Sequence, residues 1–207
     1  LSDIYYWYRE LPDLDPVSFD SPHDYLEAVR FRPLDTSFSY ITDRASNDAF
    51  FSASQFVGLG LSTAIEGTAM RVTEVYPGSP ALEANLSRGD RIVEINGRSV
   101  TALFEPGEIG GAFGPSDIGY AVELIVERGG EQFHTAGSKR LVTIPTVSRT
   151  QVFQVGSRTV GYVYFRNFVE PSYDALEVAF SDLRQRGVNE LVLDLRYNGG
   201  GLVGVAQ

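Results

Sequence analysis

A strand, an amphipathic helix and a second, almost wholly apolar strand follow one another near the end of this sequence. Residues 160–165 are rich in valine and aromatic side chains, and residues 172–186 carry an apolar stripe at helical spacing. Residues 191–195 then form a short, nearly continuous apolar run. A strand, a helix and an apolar strand in this order predict a βαβ unit, which places two parallel strands in one sheet and requires cover on both faces.

The middle of the chain predicts a separate domain built mostly from β-strands. Residues 70–75 alternate apolar and polar side chains, as a half-buried strand does. Ser79, followed by proline, can cap a short helix, and Asn96-Gly97 is a strong signal for a two-residue hairpin turn. These elements predict a compact β domain.

The beginning of the chain contains helix signals and many aromatic side chains. Ser21 followed by proline is a typical N-cap, and apolar side chains follow at helical spacing. The aromatic run at residues 5–8 is expected to pack against something larger, because it would otherwise be exposed to water. Together the patterns predict an α+β multidomain chain of three parts: a helical segment at 1–48, the β domain at 50–147 and the beginning of an α/β domain at 149–207.

Composition argues against several classes of function. The 207 residues carry a net charge of −10, which argues against nucleic acid or an anionic membrane surface as the main partner. There is no cysteine, so disulfides, thiolate metal sites and a cysteine nucleophile are excluded together. No stretch of about 18 apolar residues is present to span a membrane. Because the sequence starts at Leu1 without a signal peptide and stops in the first turns of a predicted helix, we expect a piece of a longer protein.

The glycine loop Gly58-Leu59-Gly60-Leu61 leads into a predicted strand. Glycine reaches backbone angles that other residues avoid, so a turn of this kind can aim consecutive N–H groups at one anion. The adjoining sheet edge can then pair with an incoming peptide as an added strand. By itself, the pattern is also compatible with a β-bulge within a strand.

Three further motifs follow that loop in the order and spacing seen in PDZ domains of bacterial proteases. They are Pro77-Gly78-Ser79-Pro80-Ala81, Gly89-Asp90-Arg91-Ile92 and Ile95-Asn96-Gly97. The combination resembles a PDZ domain, and the resemblance implies the permuted, bacterial kind. Such a domain would bind peptide C-termini at the glycine loop.

Two features of this region depart from many PDZ domains. No basic residue lies just before the glycine loop, and the nearest one upstream is Arg44. We therefore expect the carboxylate to be bound by backbone amides alone, unless the loop has another ligand. The segment that should supply the pocket-lining helix, residues 101–117, is interrupted by proline and glycines, and its apolar pocket candidates are Leu103, Ile109 and Phe113.

The stretch from Leu193 to Leu202 strongly resembles the strand-to-turn motif of C-terminal processing peptidases, also called tail-specific proteases. In that family the nucleophile is a serine activated by a lysine, and the glycine turn presents a backbone N–H to the oxyanion. Gly200 and Gly201 match the glycine pair of the motif, whereas Gly199 stands where proline is common. The family's serine and lysine motifs would fall beyond Gln207, so we expect this chain to be inactive by itself.

The resemblance implies a function as well as a fold. The full-length protein would be a serine endopeptidase that recognises the C-terminal segments of protein substrates, needs no cofactor and could form a homo-oligomer. It would act in the periplasm or cell envelope of a bacterium. The alternative is a non-catalytic PDZ scaffold that binds protein C-termini and carries a degenerate protease-like domain.

Charged residues near these motifs are predicted to have structural roles. Asp194 and Arg196 are expected to form an ion pair that orders the turn, and Asn198 is expected to brace it. Lys139, the only lysine in the sequence, is expected to be a solvated charge. The two histidines lie in different segments, which argues against a Ser-His-Asp triad, and no metal-ligand spacing is present, so no metal is expected.

Residues 199–204 also match the G-x-G-x-x-G pattern of dinucleotide-binding turns. In that fold the first glycine follows the strand directly, whereas here Arg196-Tyr197-Asn198 lies between the strand and the first glycine. We therefore reject a dinucleotide site.

Overall fold

The computed structural model describes residues 12–35, 39–104 and 108–207. The chain forms two compact units, Leu1–Asn47 and Asp48–Gln207. The aromatic run at residues 5–8 lies outside the described residues, so its packing stays a prediction.

The first unit contains a short helix that begins at a serine cap. A 3-10 turn at Pro16–Ser18 precedes helix α1, which spans Pro22–Val29. The Ser21 hydroxyl accepts a hydrogen bond from the Asp24 N–H at 3.1 Å, and the proline that follows has no N–H to leave unpaired. The helix predicted from these residues is confirmed.

Short helices and eleven strands follow in the rest of the described chain. The helices are α2 (Arg44–Ala53), α3 (Pro80–Glu83), α4 (Val100–Phe104), α5 (Ser172–Gln185) and α6 (Val203–Ala206), with a 3-10 turn at Glu108–Gly110. The strands are β1 (Gln55–Gly58), β2 (Leu61–Glu66), β3 (Ala69–Val75), β4 (Arg91–Ile95), β5 (Arg98–Ser99), β6 (Ala121–Arg128), β7 (Glu131–Ser138), β8 (Arg140–Thr143), β9 (Val147–Val155), β10 (Arg158–Phe165) and β11 (Glu190–Asp194).

The largest sheet is antiparallel and carries the main core. Its strand order is β2-β3-β4-β6-β7, and the short β5 pairs with β4. Side chains alternate along β3, so Met70 and Val72 are buried while Arg71 between them is exposed. The predicted hairpin joins β4 to β5, and its two turn residues, Asn96 and Gly97, have positive φ angles of 50° and 75°.

A two-stranded antiparallel sheet closes one side of this domain. It pairs β1 with β8, and Gly58 lies opposite Arg140. This register places the start of the glycine loop beside the β7–β8 junction, although 82 residues of sequence separate the two partners (140 minus 58).

A three-stranded sheet in the order β11-β10-β9 forms the last part of the chain. Strands β10 and β11 are parallel, with Val163 opposite Leu193, and α5 connects them, so the predicted βαβ unit is confirmed. Phe165 and Leu183 pack with Val163 in a small core between sheet and helix. Strand β9 was not predicted; it pairs antiparallel with the other edge of β10 and makes the sheet mixed.

One strand of this sheet has little cover. Leu191, Val192 and Leu193 of β11 are 46–49% exposed, although such apolar strands normally have both faces packed. The α+β class predicted from the sequence is confirmed, whereas the predicted boundary near residue 148 stays a prediction. No helix in the described ranges is both long and apolar enough to cross a bilayer.

Candidate functional site

The glycine loop, residues 58–61, joins β1 to β2 and is held in place through its carbonyl groups. The Leu59 carbonyl accepts a hydrogen bond from the Ala81 N–H at 2.8 Å, and the Gly60 carbonyl accepts one from the Tyr76 N–H at 2.9 Å. These bonds hold the loop in place, and the N–H groups of Leu59 and Gly60 have no partner in the described part of the chain. Two fixed and unpaired N–H donors are what an anion-binding loop requires.

Gly60 is the position at which this loop requires glycine. Its φ angle is +80°, and an added Cβ would lie 2.2 Å from Ser79 Cβ and 3.0 Å from Val142 Cγ1. A larger residue would push against α3 and β8 before it reached any ligand. Substitution of Gly60 would therefore report on folding of the loop as much as on binding.

A cavity of about 240 Å³ opens beside the glycine loop. All four loop residues line it, together with Phe113, Gly114 and Lys139 on other parts of its wall. Of the predicted pocket residues, Phe113 lines this cavity. Leu103 is fully buried in the core, and Ile109 packs against that core.

Lys139 corrects an expectation from the sequence, because it is buried and not solvated. Its side chain is 5% exposed, and Nζ donates to the carbonyls of Gly114 at 2.9 Å and Pro115 at 2.7 Å. Burial lowers the pKa of Lys139, against the opposing effect of Asp117. Lys139 lies between β7 and β8, and the side chain of its neighbour Arg140 is 42% exposed.

The expected ion pair before the glycine turn is present. Arg196 Nη2 lies 2.6 Å from Asp194 Oδ2, and Nε donates to Oδ1 of the same carboxylate at 3.0 Å. The Tyr162 hydroxyl donates to Oδ2 as well, at 2.6 Å. The hydrogen bonds from Arg196 and then from Tyr162 hold the pKa of Asp194 well below its usual range. With all these bonds to a carboxylate at the end of β11, Asp194 serves to order the turn.

Asn198 braces the glycine turn from both sides, as expected. Its Nδ2 donates to the Phe165 carbonyl at 3.2 Å, and its Oδ1 accepts the Gly200 N–H at 2.8 Å. The Gly199 N–H donates to the Arg166 carbonyl at 3.1 Å. Of the three glycine amides, only that of Gly201 has no partner among the described residues.

Gly201 itself lies against the main chain of Phe168. Its φ angle is +140°, and an added Cβ would lie 2.1 Å from the Phe168 carbonyl oxygen. Backbone atoms cannot move aside as a flexible side chain can, so this position accepts only glycine. Of the two predicted oxyanion candidates, Gly200 and Gly201, the structure leaves the N–H of Gly201 free for an anion.

A largely buried arginine that the sequence analysis missed connects the PDZ-like sheet to this turn. Arg166 follows β10, and its side chain is 10% exposed. Its guanidinium donates to the hydroxyls of Tyr164 at 2.6 Å, Ser62 at 2.6 Å and Tyr76 at 3.2 Å. Nε lies 3.3 Å from Glu74 Oε2, close enough for an ion pair but outside hydrogen-bond geometry.

Arg166 thus contacts both candidate regions at once. Tyr76, which bonds its guanidinium, also fixes the Gly60 carbonyl, and the Arg166 carbonyl holds Gly199. In the sequence, the only sign of the cluster around Arg166 is that an arginine directly follows a predicted strand. In the described ranges, no three His, Asp or Glu side chains are grouped to share a metal ion.

Comparison with known proteins matches three segments of the sequence to family models. The sequence matches the Peptidase S41 N-terminal domain over residues 1–40, a PDZ domain over 71–109 and Peptidase family S41 over 159–206. The chain belongs to the S41 C-terminal processing peptidase family. The resemblance stated from the sequence is confirmed, including the PDZ domain.

Individual S41 relatives are similar over most of this chain. The chloroplastic C-terminal processing peptidase of Tetradesmus obliquus is 30% identical over 73% of the chain, and CtpA of Bacillus subtilis is 28% identical over 82%. A solved Bacteroides fragilis structure assigned to the S41 proteases is 27% identical over 98% of the chain, with a TM-score of 0.59. The photosystem II D1 C-terminal processing protease is 27% identical over 72%, with a TM-score of 0.51.

The chain spans about a third of the length of these curated S41 relatives, 35% and 36%, and it covers 54% and 42% of the two solved S41 chains. Strand β4 lies within the matched PDZ segment 71–109, and the βαβ unit formed by β10, α5 and β11 overlaps the matched peptidase segment 159–206. The glycine turn lies at the end of that unit, within the matched segment 159–206.

Proposed function

We propose that the full-length protein is a PDZ-containing serine endopeptidase that recognises the C-terminal segments of its protein substrates. The observation that carries the recognition part is the pair of unpaired N–H groups of Leu59 and Gly60, two residues that line a cavity. A free carboxylate is the peptide group that two neighbouring, unpaired N–H donors suit best. Strand β2, at the edge of the large sheet, offers a backbone with which the peptide could pair.

For the chemical step, we propose that the Gly201 N–H supplies one donor of the oxyanion hole. A fixed amide aimed at developing negative charge is worth roughly 3 kcal/mol, or about 10²–10³ in rate. The serine nucleophile and its lysine would come from the part of the protein beyond residue 207. Lys139 is bonded to the carbonyls of Gly114 and Pro115 on the PDZ domain, so it is not a candidate for the base.

The 207-residue chain is accordingly expected to cleave nothing by itself. Incubation with a flexible protein substrate, followed by mass spectrometry, should show no new termini. Cleavage that persists through repurification and is abolished by a serine-directed inhibitor would contradict this. We propose the periplasm or envelope of a bacterium as the compartment of the full-length protein, which fractionation of cells expressing it would test.

The recognition step can be tested on this chain by titration calorimetry. The pair to compare is a peptide that ends in a small apolar residue as the free acid and the same peptide amidated at its C-terminus. The free acid should bind with a Kd on the order of micromolar, about −8 kcal/mol. Amidation should weaken binding by about 1–3 kcal/mol, because a set of charge-assisted hydrogen bonds is lost.

A third peptide that ends in Asp should bind less well, because the cavity is partly apolar and the chain carries a net charge of −10. Equal affinities for the acid and the amide would show that the loop does not read a terminal carboxylate. The recognition part of the proposal would then be wrong.

A further inference from the structure

Lys139 is a buried cation on the wall of the cavity beside the glycine loop, and it has no carboxylate partner. Its side chain is 5% exposed, and Nζ donates to two neutral carbonyls, those of Gly114 and Pro115. In the described part of the chain, no carboxylate oxygen comes within 4.0 Å of that nitrogen. Asp117 acts on it only at longer range.

An unneutralised ammonium in a protected position is unfavourable unless something compensates it. Buried charges in proteins are normally paired with an opposite charge, because neutral hydrogen bonds replace only part of the lost hydration. An ammonium also has three N–H donors, and the two carbonyls use two of them. The Tyr120 ring, 5.4 Å from Nζ, contributes a cation–π contact but no charge.

The cavity that Lys139 lines is also lined by Leu59 and Gly60, whose N–H groups have no partner among the described residues. Lys139 is the only charged residue among the described residues that line the cavity. Gly114, whose carbonyl accepts a hydrogen bond from Nζ, and Ser116 also line it. An anion in the cavity would therefore lie near residues with unpaired amide donors and near a positive charge. Each feature was observed independently, and both favour the same kind of ligand.

We propose that Lys139 is the cation of the peptide-binding cavity and determines its preference for a terminal carboxylate. This inference rests on the proposed function, since it assigns the charge selectivity of that same site. It replaces the expectation that backbone amides act alone. Lys139 enters from the β7–β8 junction, 80 residues after Leu59 (139 minus 59), and not from the segment just before the loop.

The test is a titration of the acid and amide forms of one peptide against three proteins: wild type, Lys139→Met and Arg140→Met. Arg140 is a matched control, because it carries the same charge one position further along the chain. It is bonded to Glu83 and the Gly78 carbonyl, and it is not among the residues that line the cavity. Circular dichroism and thermal unfolding confirm that each variant is folded.

Lys139→Met should weaken binding of the free acid by roughly tenfold to a hundredfold, the value of a hydrogen bond to a charged group. Binding of the amide should stay within about twofold, and Arg140→Met should keep the acid preference of wild type. If Lys139 only braces the Gly114-Pro115 turn, Lys139→Met will weaken acid and amide equally, and the proposal is wrong. A wild-type protein that does not distinguish acid from amide would instead refute the proposed recognition, and this inference with it.

A second measurement avoids mutation altogether, because Lys139 is the only lysine in the chain. Incorporating lysine labelled with ¹³C gives one Cε signal, apart from background, and that signal reports on the charge environment of Nζ. The position of this signal is followed as a function of pH to obtain the pKa of Lys139. Asp117 and Tyr120 also face the ammonium. The free-acid peptide should raise the pKa of Lys139 and the amide should not. An identical response to both peptides would overturn the assignment even if Lys139→Met fails to fold.

Discussion

Arg166 offers a quantitative test of how the PDZ domain and the glycine turn are joined. Replacing it with methionine keeps most of the side-chain volume but removes the guanidinium. Glu74, whose side chain is 17% exposed, then loses its only ion-pair partner in the described residues, and the hydroxyls of Ser62 and Tyr76 lose a charged donor. The polar groups of Glu74, Ser62 and Tyr76 are then left without this partner in a place that water reaches poorly.

The magnitude follows from burial and geometry. Removing one partner of a buried ion pair costs about 3–5 kcal/mol of unfolding free energy. Here Nε and the Glu74 oxygen are 3.3 Å apart without hydrogen-bond geometry, so we expect the lower end, about 3 kcal/mol for Arg166→Met. Glu74→Gln should cost less, about 1–2 kcal/mol, because Arg166 keeps its three hydroxyl partners.

The assay is urea unfolding of the wild type, the two single variants and the double variant. Because the side chains of Arg166 and Glu74 are in contact, the double variant should be more stable than the sum of the two single losses predicts, by about 1–2 kcal/mol. Arg184→Met is the control: Arg184 pairs with Glu177, but both side chains are at least 70% exposed, so we expect a change within about 0.5 kcal/mol. Additivity of Arg166→Met and Glu74→Gln to within about 0.4 kcal/mol would show that the pair contributes nothing, and the reasoning would fail.

The glycine turn and its ion pair give two further expectations. Gly201→Ala should speed amide hydrogen exchange in the turn at least tenfold, because the new Cβ would lie 2.1 Å from the Phe168 carbonyl oxygen. Gly199→Ala should change the exchange rates little, because a Cβ at residue 199 has open space and its φ is not positive. Equal effects of the two substitutions would contradict the steric argument. Asp194 has a lowered pKa in the folded state, so its contribution to stability is present above the unfolded value of about 3.9 and is lost as the pH falls below it. Between pH 5 and pH 3, the free energy of unfolding should therefore fall less in Asp194→Asn than in wild type. An equal fall in the two proteins would refute this.

The sequence by itself determined the local elements of this protein. The Ser21 and Ser79 caps, the Asn96-Gly97 hairpin and the βαβ unit each depend on residues within a few turns of one another. A cap needs one side chain next to the first N–H groups of a helix, and a hairpin needs two residues with positive φ, so the amino-acid types suffice. The same holds for the two glycine motifs, whose backbone angles few other residues adopt.

Only the tertiary structure decided which groups of those motifs are available for chemistry. Gly200 and Gly201 look alike in sequence, but the Asn198 side chain occupies the N–H of Gly200 and leaves that of Gly201 free. Lys139 and Arg140 are adjacent basic residues, and Lys139 is buried against carbonyls 24 and 25 positions away while the Arg140 side chain is 42% exposed. Burial and hydrogen bonding are set by partners far along the chain, which no local pattern identifies. The charge that we assign to the peptide site, and the arginine that joins this site to the glycine turn, therefore became visible only when the strands were in place.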